Sequence, residues 1–146
     1  MGKFTNRSIE RFVLAQEDSY ENALYEIKQG RKSTHWIWYI FPQLSGLGKS
    51  DNSVAYAIYG LEEAQEYLAH PILSARLKEI SEALLALDMT DPAEIFGDID
   101  AQKVHSSMTL FSLISESRSV FHKVLDKYYG GKLDENTLEL LDGTKK

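Results

Sequence analysis

The chain of 146 residues contains no cysteine, only three prolines and only four histidines. Without cysteine it forms neither disulfides nor thiolate metal sites, and this usage points to a reducing compartment, the cytoplasm. The histidines stand singly at 35, 70, 105 and 122. None pairs with another at a spacing of four around a glutamate, as a zinc-hydrolase helix requires, so no metal and no cofactor is expected. Positive charge is also short, with 16 Lys plus Arg against 22 Asp plus Glu and a formal net charge of −6. That balance argues against broad binding to nucleic-acid backbones, which takes clustered cations. No apolar run approaches the roughly 20 residues of a membrane span, and Met1-Gly-Lys-Phe-Thr-Asn-Arg7 lacks the apolar stretch of a secretory leader. There is no G-x-S-x-G elbow and no repeat period.

What the chain does have is 43% hydrophobic residues and 11% aromatic ones, ample for a core. Apolar residues recur at three and four, which predicts an all-α fold: one compact, irregular domain of about six to eight helices. It spans 1–146, with 1–6 and 143–146 expected to fray. Segment 8–29 reads as two helices, or one broken near Glu17, with Ser8 capping the first and Asp18 or Ser19 the second. Further helices are expected over 61–69, over 72–87 behind Pro71, briefly behind Asp91-Pro92 up to Phe96-Gly97, from Asp98 onward, over 120–129, and over 134–141 with Asp134 as cap. Residues 53–59 fit either a strand or a buried helical turn.

Both tryptophans fall in Ser33-Thr-His-Trp-Ile-Trp-Tyr-Ile-Phe-Pro-Gln-Leu-Ser-Gly-Leu-Gly-Lys-Ser50. If 35–41 is helical it is apolar on every side, which predicts a buried central helix of about two turns, capped by Ser33 or Thr34 and ended by Pro42. His35, Trp38 and Tyr39 then share a side, and their polar tips need partners, from backbone carbonyls or from a ligand. In the loop that follows, Gly48-Lys49-Ser50 matches the end of a phosphate-binding loop, but Gln43 stands where its first glycine belongs and no strand precedes it. A generic anion-binding nest is all this supports.

A second unusual helix carries Lys103, His105, Ser106 and Ser107. Its small residues suit a tight packing seam, or else face the aromatic helix across a polar cavity. The cavity reading gives a definite functional expectation, a small-molecule partner that is planar, anionic and nucleotide-like, bound with or without turnover. Trp36 or Trp38 stacks it, Lys49 or Lys103 meets its charge, and Gln43, Ser50, Ser106 and Ser107 supply hydrogen bonds. His35 and His105 are the candidates for acid-base catalysis. The alternative is a protein-interaction module without catalytic activity, in which the aromatic segment is simply core. In either case the expectation is a soluble cytoplasmic monomer with no membrane association and no obligate protein partner.

The motifs His35-Trp-Ile-Trp-Tyr-Ile-Phe-Pro-Gln43, Gly46-Leu-Gly-Lys-Ser50, Tyr56-Ala-Ile58, Glu63-Ala-Gln-Glu-Tyr-Leu-Ala-His-Pro71, Ile95-Phe-Gly97, Lys103 with Ser106-Ser-Met-Thr-Leu-Phe111, and Val124-Leu-Asp-Lys-Tyr-Tyr-Gly130 resemble the domain of unknown function 1810 family. The resemblance runs in order from about Phe12 to Leu141, and its first motif is highly specific. It implies a small all-helical single domain and supplies no catalytic residues. Ile37 and Tyr39 stand where methionine and phenylalanine are common in that family. Some relatives carry the label calpastatin, which describes an extended disordered inhibitor and conflicts with the helical periodicity here.

Overall fold

The computed structural model describes residues 8–144. Among them are nine helices: α1 (Glu10–Glu17), α2 (Tyr20–Lys28), α3 (Ile37–Ile40), α4 (Asp51–Ala55), α5 (Gly60–Ala69), α6 (Pro71–Leu85), α7 (Pro92–Ser112), α8 (Val120–Tyr129) and α9 (Glu135–Thr144). No strand is formed among the described residues, only an isolated parallel bridge between Leu44 and Ile58. The protein is all-α. The fraying expected at 1–6 and 145–146 lies outside the described residues, and α9 continues through Thr144.

Local chemistry fixes most of the helix starts. His70 Nδ1 accepts from the amides of Ile72 and Leu73 ahead of Pro71, and Asp91 Oδ1 accepts from Ala93 N at 3.0 Å ahead of Pro92. Ser119 caps α8 in the same way, and Asp134 Oδ2 accepts from Thr137 N at 3.0 Å. The expected caps of the first helices are not made. Ile9, not Ser8, occupies the cap position of α1, and Ser19 makes no cap bond at α2, its hydroxyl instead accepting from the Tyr39 hydroxyl at 3.0 Å. Within α7, Gly97 at φ 81° and ψ 164° breaks the helix between Phe96 and Asp98, the separation expected from Asp91-Pro92 and Phe96-Gly97.

The core is continuous. Leu73, Leu77, Ile80 and Leu84 of α6, Val104, Met108 and Phe111 of α7, and Phe121, Val124 and Leu125 of α8 form one buried cluster, in which α8 packs on both α6 and α7. Phe12 of α1, Ile27 of α2 and Ile37 of α3 extend it. Each such side chain contributes roughly 1.5–3 kcal/mol by leaving water. Buried polar groups tie α1 into this core. Arg11 forms a two-pronged pair with Glu63, Nη2 to Oε1 at 3.0 Å and Nη1 to Oε2 at 3.2 Å, and reaches the carbonyls of Ser8, Ala55 and Ala57.

The aromatic segment is helical over Ile37–Ile40 alone, one turn instead of two. Trp36 holds the cap position at φ −152°, so neither Ser33 nor Thr34 caps the turn; their amides and the Thr34 hydroxyl bind Glu26 of α2 instead. Trp36, Ile37, Ile40 and Phe41 are buried between neighbouring helices, while Trp38 and Tyr39 are half-buried. Residues 53–59 resolve into the end of α4, a turn at Tyr56 and an extended Ile58. Ile58 pins the loop after Pro42: Ser45 N donates to Ile58 O at 2.7 Å and Ile58 N to Gln43 O at 2.8 Å.

Candidate functional site

Pinning residues 43–45 against Ile58 turns the Gln43 side chain toward α7, where its Nε2 donates to Ser106 Oγ at 2.7 Å. Ser106 is buried, and its own hydroxyl proton goes to the Lys103 carbonyl one turn earlier, at 3.0 Å. Gln43, Lys103 and Ser106 line one cavity of about 220 Å³. Leu47 and Gly48 of the loop close one side, Ile99 and Gln102 of α7 another, and Asp134 and Asn136 at the start of α9 a third. The cavity is smaller than the roughly 300–1,000 Å³ of drug-sized sites, so it admits one ring or a similarly small group.

The rim is organised by charge. Lys103 Nζ lies 5.7 Å from the centre of the Trp38 ring and 3.8 Å from Asp100 Oδ1. Asp100 Oδ2 is held more tightly by Lys32 Nζ, at 2.9 Å, and Lys32 Nζ lies 5.1 Å from the Trp36 ring. A single carboxylate thus joins two lysines, each placed against one tryptophan. Because Lys32 satisfies Asp100, Lys103 retains much of its charge for the cavity. Asp134, the carboxylate in the lining, is engaged by the amide and hydroxyl of Thr137.

The structure draws some of the sequence candidates together and sets others apart. Gln43, Lys103 and Ser106 converge; Trp38 does not line the cavity and is linked to it through Lys103 Nζ, 5.7 Å from its ring centre. Trp36 is 1% exposed and its indole N–H donates to Glu26 Oε1 at 2.9 Å, so its ring has no face to offer a ligand. Ser107 is fully buried, with no hydrogen-bond partner for Oγ among the described residues; it belongs to the packing seam. Lys49 and Ser50 are exposed, and the Ser50 hydroxyl caps α4 by accepting from Ser53 N at 3.1 Å. The Gly48-Lys49-Ser50 run is therefore the start of a one-turn helix. His35 is exposed and His105 is stacked on Tyr129 at 4.2 Å, with Nε2 against the Lys132 carbonyl at 2.8 Å. Neither histidine lines the cavity.

Sequence pattern does not single out Glu26, Asp100, Gln102 or Asn136. Glu26 is buried under five donors: the amides of Ser33 and Thr34, the Thr34 hydroxyl, Asn22 Nδ2 and Trp36 Nε1. Burial alone raises a carboxyl, but the Thr34 hydroxyl, the Ser33 amide and the Trp36 indole outweigh it and hold Glu26 down at about 2. In the sequence it looks like any solvated glutamate at helical spacing. Asp100 carries a faint signal, lying three before Lys103 on one helix face.

Among the described residues no helix is long and apolar enough to cross a membrane, and no three of His, Asp and Glu gather as a metal site requires. The family model for a protein of unknown function, DUF1810, matches residues 6–141. The crystal structure of the conserved hypothetical protein Rv1873 from Mycobacterium tuberculosis is similar at 44% sequence identity and a TM-score of 0.89, over 92% of this chain and 96% of that one. No curated protein matches the chain.

Proposed function

The chain belongs to the DUF1810 family of proteins of unknown function, and from the geometry of its own site we propose that it binds a small planar, nucleotide-like anionic metabolite in the cavity between the Gln43 loop and α7. The observation that carries this reading is the Gln43 Nε2 to Ser106 Oγ bond of 2.7 Å, which sets two polar side chains beside Lys103 in one cavity. Trp38 stands outside the lining, its ring centre 5.7 Å from Lys103 Nζ, and its half-buried indole makes it the one tryptophan with surface to give a stacked ring. Lys103 in the lining and Lys49 on the loop beside Gly48 are the cations available to an anionic group. The lining holds no histidine, and its one carboxylate, Asp134, is anchored through Oδ2 by the amide and hydroxyl of Thr137. We therefore put forward binding rather than turnover, in the reducing cytoplasm that a cysteine-free chain suits.

The test is an amide and indole NMR titration with pooled nucleotides and sugar phosphates. The Trp38 indole and the amides of residues 43–48 should shift, while the Trp36 indole, locked to Glu26, serves as an internal control. Silence at Trp38 across the pools would reject the reading. A second reading, a protein-interaction module, draws on a wider apolar groove of about 550 Å³ lined by Tyr59, Leu61, Leu113 and Leu138. Under it a protein partner would shift the amides of 59–62 and 113 and leave Trp38 unmoved.

A further inference from the structure

Resting on the cavity reading above, we infer that the group entering the cavity is an uncharged planar donor–acceptor edge, a carboxamide or the amide- or amidine-like edge of a nucleobase, and that any anionic part of the ligand stays at the mouth. The placement of the protons decides this. Ser106 has one hydroxyl proton, and it is spent on the Lys103 carbonyl at 3.0 Å. Ser106 Oγ can then only accept from Gln43, which it does at 2.7 Å. This fixes the orientation of the Gln43 carboxamide, with its nitrogen on Ser106 and its Oε1 acceptor left for another donor. No hydrogen bond among the described residues engages Oε1. Ser106 is 2% exposed, so the anchor is shielded from water and the amide does not flip freely.

The lining therefore contributes an acceptor from Gln43, Oε1, and a donor from Lys103, Nζ, whose hold on Asp100 is loose at 3.8 Å. A ligand edge with an N–H beside a carbonyl or ring nitrogen satisfies both. A carboxylate or phosphate satisfies Lys103 alone and sets its second oxygen against Oε1, two acceptors with no proton between them. A volume of about 220 Å³ limits the occupant to a single ring with such an edge, and Trp38, outside the lining, reports on it through Lys103 Nζ at 5.7 Å from its ring centre.

Nicotinamide and nicotinate test this directly, since they differ only in carboxamide against carboxylate; cytidine adds the nucleobase version of the same edge. In an NMR titration of the full chain, nicotinamide or cytidine should move the Trp38 indole and the loop amides with an affinity at least about tenfold above that of nicotinate. The stronger of the two assigns the source as free carboxamide or nucleobase. Ser106→Ala releases the Gln43 amide, and the nicotinamide-to-nicotinate ratio should fall toward one. Gln43→Leu, at a half-buried position, should lower nicotinamide to the level of nicotinate with the remaining spectrum unchanged. Nicotinate binding as well as or better than nicotinamide would overturn the edge assignment and leave the cavity reading standing. No response to any of the three would overturn both.

Discussion

Trp36 Nε1 donates to Glu26 Oε1 at 2.9 Å across ten residues of sequence, and this bond ties α2 to the aromatic segment beneath the cavity. The same carboxylate gathers the amides of Ser33 and Thr34 and the Thr34 hydroxyl, so one side chain orders the whole connection into α3. Glu26→Gln replaces an acceptor-only group by one that turns an NH₂ toward existing donors. The expected loss is about 2–4 kcal/mol, read as a lower urea midpoint by tryptophan fluorescence. An unchanged midpoint would show that the Glu26 cluster does not hold the segment.

Acid should expose the same dependence. The Glu26 carboxyl is held at about 2 against an ordinary 4.5, so the folded state binds this proton less tightly than the unfolded chain. Its contribution is complete above pH 4.5 and disappears as pH falls from there toward 2. A tenfold difference in proton affinity is worth about 1.4 kcal/mol, so roughly 3 kcal/mol is lost over that window. At the other end, burial pushes Tyr128 up to about 12 and raises Tyr20, Tyr67 and Tyr129 further. Their buried, protonated forms favour the folded state up to the ordinary value of 10.0, and that preference is lost as pH rises beyond it. Unfolding free energy followed against pH should form a plateau between these limits, and E26Q should remove its acid shoulder.

How much of this is legible in the sequence follows from what periodicity records. It places α5, α6, α8 and the break at Gly97, because caps such as Asp91 before Pro92 and apolar spacing act locally. It overruns at α3, since the six apolar residues from Trp36 to Phe41 look helical whichever turn the chain needs. Ser33 and Thr34 look like caps because a glutamate seven residues earlier gives no sign that it will claim their amides. In the site, Gln43, Lys103 and Ser106 are recognisable as polar residues within otherwise apolar motifs. Asn136 and Gln102 are not, because an exposed amide on a helix carries no mark of what it faces across space.

Arg11 and Glu63 illustrate a buried pair that periodicity reads as surface. Their side chains are only 6% and 13% exposed, with a 3.0 Å contact, and Arg11 also holds carbonyls of residues 8, 55 and 57. Arg11→Met leaves Glu63 buried, with the Tyr59 amide still donating to Oε1 at 2.9 Å but no cation beside it. The expected cost is about 3–5 kcal/mol. The double variant Arg11→Met, Glu63→Leu should be less damaged than Arg11→Met alone. Additive losses in a double-mutant cycle would contradict the coupling.

Gly97→Ala tests the break in α7. The position sits at φ 81° and ψ 164°, a conformation that is nearly confined to glycine, yet an added Cβ meets nothing within 4 Å. Any loss must then come from the backbone and not from crowding. About 1–3 kcal/mol is expected, measured by thermal or urea unfolding, with the amide shifts of Asp98 to Lys103 reporting whether the helix re-forms through the break. A neutral substitution would mean that α7 tolerates a continuous path here.

Lys103→Met separates the cavity's role in binding from its role in folding. The Lys103 contacts are a 3.8 Å pair with Asp100 at partly exposed side chains and a 5.7 Å approach to Trp38. Such contacts are worth on the order of 0–1 kcal/mol. Asp100 keeps its 2.9 Å partner Lys32, so no buried charge is abandoned, and the stability should change by less than about 1 kcal/mol. Ligand affinity should fall at least about tenfold, since the cationic donor of the lining is gone. Asp100→Asn gives the opposite sign: it frees Lys103 and should tighten an anionic probe while destabilising the fold by leaving Lys32 without its partner against Trp36. If both variants left titration of the Trp38 indole unchanged, Lys103 would be no part of a binding site, and the wider apolar groove at Tyr59 and Leu113 would become the surface to probe.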